Sequence, residues 1–220
     1  MTTNQKMKLN DEVIDGLCSF FKGANTLIEQ DPEFATLYAY LLLQATGVER
    51  LQKIVYMLDY NTKNSTQVTS NRLKNKLGHK ILDIHNKHLY FHFSFNDTEN
   101  IYIQKMLEIL TDLVNENRYT NFDLYSADTF SIHDHIVQIL ELKDLDYSGI
   151  PDVIKVSWEI VDMILKKYIS ILVNLIWHGN VGNKEVIPIC LQNYVLKGWQ
   201  EINLDKNIKL LLDDAKREKR

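Results

Sequence analysis

The chain has 220 residues, enough to bury a substantial core within one large domain or two small ones. Hydrophobic residues make up 45% and charged residues 25%, the composition of an ordinary globular protein rather than a disordered or membrane-spanning one. A net charge of −4 excludes nucleic-acid binding driven by overall positive charge, although it leaves room for a local basic patch.

Helical signals then dominate from one end to the other. The start, "MTTNQKMKLNDEV", is polar and has no apolar targeting segment, so the expected location is the cytoplasm. Asn10, Asp11 and Glu12 read as a cap followed by first-turn acids, with Val13, Ile14, Leu17, Ala24, Leu27 and Ile28 behind them at helical spacing. Asp31-Pro32-Glu33 is a second start signal, and the helix it opens extends to about Asp59. Gly47 inside that helix marks either a close approach by a neighbour or a bend. Residues 61–71 are polar and read as an exposed loop.

A third helix is expected over residues 71–89. "YFHFSFN" after it reads either as a short strand or as an aromatic linker. Asn96 opens a fourth helix that ends near Arg118, followed by the aromatic-rich "RYTNFDLYSADTF". A fifth helix is expected over Ser131 to Leu145. Pro151 and Asp152 open a sixth that ends at His178-Gly179, where glycine suits the C-terminal cap. Its most apolar run, Tyr168 to Trp177, is too short to cross a bilayer. Cys18 and Cys190 lie in apolar stretches and read as buried reduced thiols. Pro188 begins a last helical region that frays at "KREKR". The whole chain therefore reads as one all-α domain over residues 1–220, with residues 180–220 readable as an appended helical element.

The chemistry concentrates in "NRLKNKLGHKILDIHNKH", residues 71–88. Treated as a single helix, it places Leu73, Leu77, Ile81 and Ile84 on a core stripe, with His88 close to it and His85 at its border. Arg72, His79 and Asp83 fall on the opposite side with Lys76 near them, and His79 and Asp83 stand at contact spacing.

"GVERLQKIVYML", a polar loop and then "LGHKILDIH" resemble the two-helix signature of HEPN domains, helical bundles of prokaryotic toxin–antitoxin and phage-defence systems. The residues that carry the resemblance are Glu49, Arg50, Lys53 and Ile54, then His79, Ile81 and Leu82, within roughly residues 34–88. It implies a HEPN-like bundle with additional C-terminal helices, a homodimer and a partner protein from the same operon. The alternative function it implies is metal-independent cleavage of RNA, in which an Arg and a His with four to six residues between them act together. Arg72 and His79 have that spacing, although they lie on the family's earlier helix rather than its late one. In that role His79 moves a proton, Arg72 holds the phosphate, Lys76 adds positive potential and Asp83 orients the imidazole. The ordinary reading makes His79 a capping or packing residue and the chain an interaction module, and that reading is preferred.

The remaining constellations are weaker. His85, His88 and His92 have spacings that suit a metal, but partly buried histidines account for them more simply, and neither metal nor cofactor is expected. Arg118 and Tyr119 form a candidate base-stacking surface for nucleic acid. No Gly-rich phosphate loop, nucleophile elbow or zinc-protease motif is present.

Overall fold

A computed structural model describes residues 1–29, 34–115, 150, 152–182, 185–186 and 198–217. All regular structure among them is helical, so the fold is all-α. Helix α1 spans Thr3–Glu29 and α2 spans Phe34–Asn64. A π-helical turn at Arg72–Leu77 leads to the short α3, Ile81–Ile84, then to a second π turn at His85–Leu89 and a 3₁₀ turn at Tyr90–His92. Helix α4 is Asp97–Asn115, α5 is Val153–Trp177, and a 3₁₀ turn at Trp199–Glu201 precedes α6, Leu204–Arg217. The expected fifth helix and the pair Arg118 and Tyr119 lie outside the described residues, as does Cys190. No described helix is long and apolar enough to cross a membrane.

Helix α1 begins earlier than its sequence suggests. Thr2 and Gln5 form a reciprocal cap: Thr2 N donates to Gln5 Oε1 at 2.7 Å, and Gln5 N donates to Thr2 Oγ1 at 3.3 Å. Asn10 is therefore inside the helix and buried, its amide donating to the Lys6 carbonyl at 2.7 Å and the Glu185 carbonyl at 3.4 Å. Cys18 is partly buried on the same helix. Helices α1 and α2 run antiparallel and pack closely through glycine. A Cβ added to Gly47 would lie 2.8 Å from the Gly16 carbonyl oxygen, so Gly47 marks a close approach. The buried Gln44 amide donates to the Phe20 carbonyl at 2.8 Å in the same interface.

Helix α5 is the centre of the bundle. Ile160, Ile164, Leu165, Ile169 and Leu172 are fully buried against α2 and α4. Asp152 caps its start by accepting from Lys155 N at 2.9 Å. Its end closes as expected at Gly179, φ +66°, with Asn180 N donating to the Leu175 carbonyl at 3.0 Å. Helix α4 starts at the expected place, where Glu99 N donates to Asn96 Oδ1 at 2.8 Å.

The segment after α2 departs from expectation. Helix α2 runs on to Asn64 and takes up the first part of the expected loop. The expected helix over 71–89 is broken at Gly78, whose φ of +52° and ψ of −138° suit glycine alone. Around the break, π turns widen the helix and shift its phase, so single-helix geometry does not carry through. The apolar stripe survives, with Leu77, Ile81 and Ile84 buried and Leu73 packed on the core. The two histidines beside it exchange places: His85, expected at the border of the stripe, is fully buried, and His88, expected closer to it, is only partly so. "YFHFSFN" forms the 3₁₀ turn and then extended backbone, an aromatic linker rather than a strand.

One buried ion pair ties the C-terminal helix to this bundle. Lys167 on α5 bonds to Glu99 on α4, each side chain 6% exposed. Lys167 also donates to the Ile202 carbonyl at 2.5 Å, and Glu99 Oε1 accepts from Leu204 N at 3.1 Å. Replacing Lys167 with Met strands the Glu99 carboxylate and should cost about 3–5 kcal/mol. Urea unfolding monitored by circular dichroism measures this cost. The double variant Lys167→Met, Glu99→Leu should recover much of it, short of the lost caps.

Candidate functional site

The polar residues of the α2–α4 connection divide into two groups along α2. Near its middle, His79 Nδ1 lies 2.9 Å from Glu49 Oε2. Glu49 Oε1 accepts from Lys53 Nζ at 2.6 Å, and the His79 carbonyl accepts from the Asn115 amide at 3.2 Å. The imidazole remains 61% exposed, so its other ring nitrogen is open to solvent. Asp83, the residue expected to orient it, pairs instead with Lys87 at 2.8 Å, because the break at Gly78 takes His79 off the helix carrying Asp83. Lys76 is exposed on the first π turn.

Further along α2, Arg72 Nε donates to the Tyr56 hydroxyl at 2.6 Å, and its guanidinium lies 4.6 Å above the Tyr60 ring. The bond to Tyr56 raises the Arg72 pKa. Glu49 precedes Tyr56 by seven positions and Tyr60 by eleven, which separates the two groups by about 10 to 16 Å along the helix axis. The imidazole next to Arg72 is therefore that of His88, whose ring packs 4.8 Å from Tyr56. Burial, then the positive charges of Arg72 and Lys87, lower the His88 pKa.

A second cation–aromatic contact follows one turn on. Lys63 Nζ lies 4.0 Å above the Phe91 ring and pairs with Asp59 at 2.7 Å. Phe91 is 59% exposed and neighbours His92, whose Nε2 lies 3.6 Å from Asp59. That distance is too long for a hydrogen bond, and burial lowers the His92 pKa against the opposing pull of Asp59. Sequence reading singled out Arg72 but missed Tyr56, Tyr60, Lys63 and Phe91. Tyr56, Tyr60 and Lys63 recur every three or four residues on α2, which was the available signal for those three.

The three histidines of the metal hypothesis face three different partners: Tyr168 for His85, Tyr56 for His88 and Asp59 for His92. Among the described residues, no group of three His, Cys, Asp or Glu side chains is placed to hold a metal ion. His85 belongs to the core. Gln52 donates to the Tyr168 hydroxyl at 2.7 Å, which leaves the phenol proton for His85 Nδ1 at 3.0 Å. The imidazole proton is then on Nε2, which is buried without a hydrogen-bond partner. Rings of Phe93 and Tyr90 surround it at 4.9 and 5.8 Å.

Burial lowers the His85 pKa to about 4. An unfolded chain protonates this histidine near its reference value of about 6.5, so acid favours unfolding. Stability should fall by up to about 3 kcal/mol as pH drops from about 6.5 to about 4, and this contribution should be flat outside that window. Urea unfolding at several pH values measures the slope, which His85→Gln should flatten in that range. Compared with protein-family models, with curated proteins and with solved structures, the chain matches none.

Proposed function

We propose that the chain is a helical interaction module that binds single-stranded RNA without cutting it. In this reading it is HEPN-like, and it works in a prokaryotic defence, toxin–antitoxin or regulatory system, as a homodimer or with a partner from the same operon. The meeting of Glu49 with His79, the two halves of the resemblance, supports the HEPN-like part. The observation that carries the RNA part is the pair of cation–aromatic contacts, Arg72 on Tyr60 and Lys63 on the exposed Phe91.

Such a face suits a polymer that alternates phosphates with flat bases. Arg72 uses only Nε in its bond to Tyr56, leaving guanidinium donors for a phosphate. Phe91 and the 48%-exposed Tyr90 offer ring surface for bases. Residues 71–88 contribute Arg72, Lys74, Lys76, Lys80 and Lys87 against the single carboxylate Asp83, a local excess of positive charge on an acidic chain. Lys74, Lys76, Lys80 and Lys87 are all exposed.

The ribonuclease reading keeps one specific support. Glu49 fixes His79 through Nδ1 and leaves Nε2 open, the arrangement a proton-transferring histidine needs. Against it stands the separate anchoring of Arg72.

Fluorescence anisotropy with a labelled twelve-nucleotide RNA in EDTA tests binding, and gel analysis of the same samples tests cleavage. Binding is expected to weaken steeply with salt. Phe91→Ala should weaken it about five-fold or more, on the order of 1 kcal/mol or greater for a lost stack. Arg72→Ala should weaken it as well, and the RNA should stay intact. Metal-independent cleavage that disappears in His79→Ala and Arg72→Ala would establish the ribonuclease instead.

A further inference from the structure

A cleft of about 510 Å³ lies between α1, α2 and the strap that follows α2, away from the cation–aromatic face. Its volume falls in the range of small-molecule sites. The walls are amphipathic in an ordered way. Leu9, Ile54, Met57 and Leu73 supply apolar surface, Lys8, Arg50 and Lys53 supply positive charge, and Glu12 is the one carboxylate in the lining.

The three cations differ in how far they are already neutralised. Lys53 is bound to Glu49 at 2.6 Å. Arg50 engages Glu12 at 3.0 Å and Asp15 at 3.2 Å, both through Nη1, so its Nη2 and Nε have no partner among the described residues. Lys8 is exposed and has no ion pair among them. The cleft thus presents the ammonium of Lys8 and the open Nε and Nη2 donors of a guanidinium whose charge Glu12 and Asp15 already offset, above an apolar floor.

The strap closes part of this space. Gln67 on the strap and Gln5 on α1 exchange hydrogen bonds across the cleft at 3.1 and 3.2 Å. Val68 N donates to Asn61 Oδ1 at 3.1 Å, and the Val68 side chain packs against the core. This bridge from wall to wall obstructs a partner helix laid along the cleft and leaves room for a short chain beneath it. Being exposed and uncharged, the amide pair is weak enough to open and admit one.

We infer that the cleft binds a free medium-chain aliphatic carboxylate, its head on Lys8 and Arg50 and its chain on Leu9, Ile54 and Met57. Charge selects the head, because a carboxylate accepts from both donors at once. The chain contributes by leaving water for an apolar wall. This proposal is independent of the RNA-binding face and survives its failure.

Isothermal titration of the full chain with decanoate, 1-decanol and decyltrimethylammonium provides the test. Decanoate should bind at submillimolar concentration, decanol at least ten-fold more weakly and the cationic amphiphile more weakly still. Lys8→Glu should weaken decanoate at least ten-fold while leaving decanol unchanged, with circular dichroism matching the wild type. Val68→Trp, which fills the space below the strap, should weaken decanoate and decanol together. Absence of decanoate binding, equal affinity for decanoate and decanol, or an unchanged Lys8→Glu variant would each overturn the proposal.

Discussion

Glu99 and Lys167 hold three helices to one another, and the rest of the bundle is arranged around that contact. Glu99 is at once a first-turn residue of α4, the partner of a lysine on α5 and the acceptor for the first amide of α6. Two charges this well buried are stable only when their remaining donors and acceptors are satisfied. Here the backbone of the α6 approach meets that need, through the Ile202 carbonyl and the Leu204 amide. The ion pair therefore fixes where the C-terminal helix docks. Leu204, Ile208 and Leu212 then bury the face of α6 that the pair has oriented.

The same lysine reaches the aromatic centre of the molecule, lying 6.0 Å from the Phe95 ring. Phe95 stacks on Phe93, and Phe93 stacks on Tyr168 with the ring planes 3° apart. Tyr168 joins Gln52 on α2 to His85 in the chain Gln52–Tyr168–His85. This polar path through the core ties the position of the second π turn to both α2 and α5. The extended backbone after Tyr90–His92 follows from this, because Phe93 must turn inward while Phe91 points to solvent.

The two candidate surfaces are consequences of that anchoring. His85 pins the middle of the connection in the core, so His88 and Phe91 emerge beside Tyr56 and Lys63 on α2. On the other side of α2, the glycine contact between Gly16 and Gly47 brings the helices together. Toward the start of α1 the cleft then opens, with the strap across it. Both surfaces use α2 as a wall, and its positions Arg50, Lys53, Tyr56, Tyr60 and Lys63 distribute charge and rings between them.

Local signals in the sequence determined much of the architecture. The caps at Asn96 and Asp152, the stop at Gly179 and the apolar spacing of α2 and α5 are contacts within a few residues, and these were legible. Gly47 was legible as a close approach or a bend, and the helix packed against it decided between them. Other features depended on groups distant in sequence. Glu49 lies 30 residues from His79, and His85 lies 83 from Tyr168, so no periodicity could assign those partners. The break at Gly78 was the deciding local event. A glycine in a helical pattern can continue the helix or leave it, and the packing of Ile81 and His85 favoured leaving. That turn separated His79 from Asp83, and the anchoring of Arg72 on Tyr56 and Tyr60 set it beside His88, a grouping that only the tertiary structure created.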